Sequence, residues 1–211
     1  MSKYTELITN YHATKPKFLA HVDLMTRPLI DVAAATRGLI TAFDIDSAVG
    51  VQLDILGLWI GRSRVVSQPI SGVYFSWDIT IDASVMKGRK IHVVPMSDQV
   101  VELLTTLSSI TKPVSEFVFA GRNDKKKPIC ENAVLLVIKQ IGYEGLESGH
   151  GFRHEFSTIM NEHEWPADAI EVQLAHANGG SVRGIYNHAQ YLDKRREMMQ
   201  WWADWLDEKV E

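Results

Sequence analysis

HGFRHEFSTIMNEHEWPADAIEVQLAHANGGSVRGIY, residues 150–186, carries two short helical patterns and four polar side chains: His150, Arg153, His176 and Tyr186. The apolar spacing predicts a helix over Phe152–Asn161 and another over Asp168–Leu174. On that reading His150 precedes the first helix, and Arg153 lies in its first turn, where free backbone donors point the same way as the guanidinium. An Arg, two His and a Tyr can serve one reaction without metal or cofactor. The phenol attacks a phosphodiester, the guanidinium neutralises the non-bridging oxygens, and the imidazoles move a proton or donate as charge builds. The product is a phosphotyrosyl intermediate. Each residue also has an ordinary reading: a solvated or ion-paired Arg, a buried hydrogen-bonded His, a packed Tyr. Tyr191 rivals Tyr186 as the nucleophile. His154 and His163 read as structural or exposed.

Downstream, Leu192–Lys209 forms the closing helix, with Met198, Trp202, Trp205 and Leu206 as packing anchors. Such a segment suits docking in cis or self-association onto a neighbouring copy. Upstream, Val73–Ile81 and Arg89–Val94 favour strand, with Met86-Lys87-Gly88 as the turn region between them. Pro95 ends the second strand, and Ser97 or Asp98 caps a helix through Val100, Leu103, Leu104 and Leu107. Phe117–Phe119 reads as a short extended element, Gly121–Pro128 as a polar loop, and Glu131–Ile141 as a helix ended by Gly142. The first third reads as helical. It includes Ala48–Trp59, capped by Asp44 or Asp46 and stopped by Gly61. The whole predicts a mainly α chain with a small antiparallel β-sheet.

The chain has 211 residues, 45% of them apolar, enough for one sizeable core or two small ones. A single cysteine, Cys130, excludes an internal disulfide and fits a reducing, cytoplasmic setting. The N-terminus lacks a signal-peptide pattern, and no apolar run reaches the length of a membrane span. The formal charge of −4 is unhelpful to nucleic-acid binding taken as a total. What matters is distribution. Basic residues cluster at Lys87/Arg89/Lys90, at Lys125–Lys127 and at Lys194–Arg196. The first cluster is the best placed to face DNA, and the plain reading of all three is a solvated surface. The glycines at 142, 145, 149 and 151 follow no nucleotide-binding pattern. His154-Glu155 lacks the second His of a zinc-protease helix. His150 and His154, four apart, would face one way only if both were helical, so no metal site is expected.

MKGRKIHVVPMSDQVVELL, HGFRHEFSTIMNE and IEVQLAHANGGSVRGIYNHAQYLDKRREMMQWWADWLD, in that order and spacing, resemble the catalytic domain of phage-type tyrosine recombinases, or integrases. The resemblance covers residues from about 86 to the C-terminus. It implies an α+β catalytic fold over 79–211, double-stranded DNA as partner, and strand breakage and rejoining through a 3′-phosphotyrosyl intermediate. It implies that Arg153 holds the scissile phosphate, with His150 and His176 donating to it. Tyr186 is then the nucleophile. Lys87, on the hairpin, protonates the leaving 5′ oxygen, with Lys90 as the alternative, and Arg89, Lys90 and Arg183 contact the DNA backbone. No cofactor is implied. Recombinases of this kind work as tetramers that exchange C-terminal segments. One part of the pattern is missing. The family places another Arg in a Thr-Gly-Xaa-Arg-Xaa-Gly-Glu motif upstream, and this chain has SQPISGVYF there. Residues 4–78, especially FDIDSAVGVQLDILGLWIGRSRVVSQPISGVYFSWD, resemble instead an uncharacterised contractile-tail phage family, which suggests two phage-derived fragments joined between about Trp77 and Met86. A DNA-binding regulator without activity, and a structural or partner-binding prophage protein, are the competing readings.

Overall fold

The computed structural model describes the chain from residue 77 onward, apart from residues 85, 87–88, 112–114, 118, 122, 130–132, 141, 147, 177–189 and 211. The helical unit expected over residues 1–78 therefore lies, up to residue 76, outside the described residues. So do Lys87, Arg183 and Tyr186.

The described elements run β1 (Asp78–Ile81), β2 (His92–Pro95), α1 (Asp98–Thr111), α2 (Ala133–Gln140), α3 (Gly149–Glu162), α4 (Ala167–Gln173) and α5 (Leu192–Val210). The architecture is mainly helical with a two-stranded antiparallel sheet. β1 and β2 pair from Asp78 opposite Pro95 to Ile81 opposite His92. Alternation turns Ile79 and Ile81 inward, both 2% exposed. The second strand starts later than its β-propensity suggests. Arg89 takes a left-handed backbone, φ 49°, and its N–H donates to the Met86 carbonyl at 3.0 Å, so Arg89 belongs to the turn. Pro95 is the last paired residue rather than the first unpaired one. A proline, having no N–H, is tolerated at such an end.

The core forms where the sheet's inner face meets one stripe from each of several helices. α1 supplies Val100, Leu104 and Leu107, and α3 supplies Phe152, Phe156, Ile159 and Met160. Both sets recur at helical spacing. α5 adds Met198, Met199, Trp202 and Leu206, with the Trp202 ring edge-on to Phe156 at 5.4 Å between centroids. The α5 anchors Met198, Trp202, Trp205 and Leu206 thus all belong to this core.

Polar contacts fix how α5 lies. Arg196 meets both carboxylate oxygens of Asp78 on β1 at 2.9 Å. The Gln200 side chain accepts the Asp98 N–H at 2.9 Å, closing the start of α1. Gln99 of α1 donates to Asp204 and Asp207 of α5 at 2.9 and 2.8 Å.

Between α1 and α2 the chain makes a polar loop, closed by an isolated bridge between Ala120 and Pro128. Its tip carries Lys125, Lys126 and Lys127, all exposed. Gly121 is required at its base, because a Cβ there would stand 2.7 Å from the Asp124 carbonyl oxygen and 2.9 Å from that of Lys127. Among the described residues, no helix is long and apolar enough to cross a membrane.

Candidate active site

α3 begins earlier than the apolar pattern indicates. Ser148 is its N-cap, with Oγ accepting the Gly151 N–H at 3.0 Å. That cap satisfies an N-terminal donor and starts the helix at Gly149. His150 is therefore inside the helix, not ahead of it, and Arg153 sits in the second turn, beyond the free N-terminal donors. The Ser148 cap was the sequence signal for this. As helical residues four apart, His150 and His154 share a face. Their Nε2 atoms are 3.1 Å apart, and the rings meet edge-on with centroids 4.4 Å apart. One ring must donate and the other accept in that contact, so His154 helps set the proton position on His150. Among the described residues, no group of three or more metal-ligating side chains converges.

What orients Arg153 is the end of another helix. Its guanidinium donates to the main-chain carbonyl of Leu174, the C-cap of α4. A carbonyl there has no partner within its own helix and stands at the negative end of the helix dipole. The chain then turns sharply. Ala175 takes a left-handed backbone, φ 49°. Its N–H donates to the Val172 carbonyl at 3.0 Å, and that of His176 donates to the Glu171 carbonyl at 3.1 Å. These two bonds form the helix stop usually built with glycine at the left-handed position. They place His176 two residues beyond the carbonyl that holds Arg153. The His176 ring is fixed in turn by Glu171, with Nδ1 2.9 Å from Oε2, so Nε2 points away from that carboxylate. Arg153 of α3 and His176 therefore both sit at the C-terminal end of α4, while His150 lies one turn before Arg153 on α3 and meets His154. Arg153 is half-buried, and both histidines are exposed.

The hairpin reaches the same place. His92, the first residue of β2, hydrogen-bonds to the Gln173 main chain and lies within the field of Arg195 and Arg153. Burial first, then Arg195, pull its pKa down to about 4, against the smaller opposing effect of the Gln173 contact. His92 thus stays uncharged near two guanidinium groups. Arg89 and Lys90, on the turn leading into β2, are exposed.

A stability prediction follows. The unfolded chain takes up a proton on His92 once pH falls below about 6.5, while the folded chain does not until about 4. Stability from this group is full above the upper value, falls between the two and levels off below the lower one. The loss should be on the order of 3 kcal/mol. Urea titrations across that range should show a shallower acid decline for His92→Asn than for the native chain. Parallel declines would contradict it.

Arg195 is the side chain that composition conceals most completely. It belongs to the Lys194–Arg196 cluster, yet it is 0% exposed. Its Nε donates to Gln173 Oε1 at 2.8 Å, Nη2 to the Val93 carbonyl at 2.6 Å and Nη1 to the Gln190 carbonyl at 3.4 Å. Burial lowers its pKa to about 10, with Asp78 opposing, so it remains charged near neutrality. A helical wheel carries the signal: residues 195, 198, 199, 202 and 206 lie on one buried stripe. Tyr191, just before α5, donates its hydroxyl to Asp168 at 3.3 Å.

The model of the phage integrase family matches residues 74–193. That of the bacteriophage baseplate wedge 1 protein matches residues 4–89. The chain is 99% identical over 132 residues to the integrase of Shigella phage Sf6, covering 63% of this chain and 34% of that protein. It is 48% identical over 131 residues to the prophage integrase IntZ of Escherichia coli strain K12, covering 61% and 32%. It is 34% identical over 202 residues to the integrase of Enterobacteria phage P4, covering 91% and 44%. The chain thus spans less than half the length of each of these relatives. No solved structure matches it.

Proposed function

The chain belongs to the phage integrase family, and on that footing we propose that its C-terminal region breaks and rejoins double-stranded DNA through a 3′-phosphotyrosyl intermediate. Ahead of it is fused a region like the baseplate wedge, and the two family matches share residues 74–89. The boundary we place after residue 78 falls inside that shared segment.

The observation that supports the reading is that Arg153 and His176 meet the same end of α4, with His150 one turn before Arg153 on α3. Arg153 grips the non-bridging oxygens of the scissile phosphate, and His176 donates to one of them. The Tyr186 oxygen attacks phosphorus and its proton passes to His150. The bond from phosphorus to the 5′ oxygen breaks, and that oxygen takes a proton from Lys87. The phosphodiester is exchanged for a phosphotyrosyl ester and a free 5′ hydroxyl. Attack by a 5′ hydroxyl in the reverse sense rejoins a strand. No electrons are transferred and no cofactor is needed. Arg89, Lys90 and Arg183 steady the DNA backbone.

The missing upstream arginine weakens the grip. Losing one donor to the charge that develops on the phosphorane costs about 3–4 kcal/mol, or roughly 10²–10³ in rate. That absence favours a second reading, in which the domain occupies DNA without turning it over.

A library of nicked duplexes, whose short cleaved fragment diffuses away, separates the two. The first reading expects a denaturant-resistant protein–DNA adduct whose linked peptide contains Tyr186. Linkage to another residue would overturn the assignment, and tight binding with no adduct would support the second reading.

A further inference from the structure

We propose that Arg195 is a positioning residue for this site: its buried guanidinium holds the end of α4, and with it Arg153 and His176, in register with β2 and with the segment that follows Tyr186. The inference rests on the proposed DNA-cleavage reading for its functional consequence and on the hydrogen bonds alone for its geometry.

The three acceptors of Arg195 come from three separate parts of the chain. Val93 is next to His92, which contacts the Gln173 main chain. Gln173 is next to Leu174, whose carbonyl takes the Arg153 guanidinium. Gln190 comes four residues after Tyr186 in sequence. Only a planar, multi-donor cation can serve all three at once; a lysine has a single nitrogen to offer. Its bond to Gln173 also fixes that amide. Arginine can only donate, so the amide oxygen must face it and the amide nitrogen must face away. That nitrogen is fully buried and has no hydrogen-bond partner among the described residues. A buried donor left without an acceptor is unfavourable. Among the described residues, the Arg195 bond is thus what holds the amide's orientation. Among the described residues, Arg195 touches no candidate reacting group. It acts through Gln173 and Leu174.

The test compares Arg195→Lys and Gln173→Met with the native chain in two measurements. The first is side-chain NMR of Arg153 and His176 in the free protein, with the indole signals of Trp202 and Trp205 reporting the core. Both variants should shift or broaden the Arg153 and His176 signals while the indole signals stay. The second is single-turnover adduct formation on a captured nicked duplex at saturating DNA. There the rate should fall about 100-fold, the scale expected for misplacing reacting groups by about an ångström. DNA affinity should hold within about threefold, since no proposed DNA contact is removed. Unshifted Arg153 and His176 signals in both variants would overturn the geometric claim, whether or not DNA is cleaved. Native adduct rates in both would overturn the functional one. A native chain that forms no adduct, with the signals still shifting, would sink the cleavage reading and leave the positioning role standing. Should Arg195→Lys fail to fold, Gln173→Met decides, because it removes one acceptor and leaves the other two in place.

Discussion

Tyr186→Phe should abolish the covalent protein–DNA adduct, while Tyr191→Phe should leave it nearly undiminished. The substitution at 186 removes the single oxygen that would attack phosphorus, so no slower route to the same adduct remains. Tyr191 has a different occupation. Its hydroxyl donates to Asp168, its backbone is left-handed at φ 48°, and its carbonyl accepts the Arg195 N–H at 2.8 Å. It fastens the start of α5 to α4. Loss of the 3.3 Å hydrogen bond to Asp168 should cost about 1 kcal/mol of stability. The check is a denaturing gel of each variant with a captured nicked duplex. An adduct retained at native yield in Tyr186→Phe, or lost only in Tyr191→Phe, would transfer the nucleophile's role to Tyr191.

Much of this architecture was legible before any coordinates, and for identifiable reasons. α1, α3 and α5 have strong periodic stripes, so their existence and type followed from spacing. The Trp and Met anchors of α5 were recognisable as packing groups. What spacing left open was whether they packed in cis. In this fold they pack in cis, where Phe156 and Trp202 meet inside one chain.

Apolar spacing alone does not reveal three features, and each has a local cause. The start of α3 was placed too late because a hydrogen-bonded cap, not an apolar residue, sets it: Ser148 precedes a run of glycine and histidine with no stripe of its own. The stop of α4 uses Ala175 at a left-handed position, without the glycine that would have announced it. His176 owes its place to that stop. Arg195 was grouped with its charged neighbours, although its position on the α5 wheel put it among Met198 and Trp202. These features bear on mechanism. With Arg153 in the second turn of α3, its orientation comes from the Leu174 carbonyl and not from donors at its own helix start.

Arg153→Ala should slow adduct formation by roughly 10²–10³-fold, the usual cost of removing one stabilising contact to developing charge. The effect should be large because the family's upstream arginine motif has no counterpart in this sequence, which leaves Arg153 as the guanidinium assigned to the phosphate. DNA affinity should change far less, since backbone contacts elsewhere supply most of it. Arg153→Lys keeps the charge but not the fork, so it should recover only part of the loss. The substitution also leaves the Leu174 carbonyl without its guanidinium donor. A fall in rate alone therefore does not separate loss of charge from disturbance of the α4 end.

The decisive measurement replaces the scissile phosphate with a methylphosphonate, which carries no negative charge, and compares the native chain with Arg153→Ala on both substrates. If Arg153 serves to neutralise the phosphate, the variant's deficit should shrink to within a few-fold on the uncharged linkage, with Tyr186 still the linked residue. An equal deficit on both substrates would contradict the claim that this guanidinium grips the phosphate under attack.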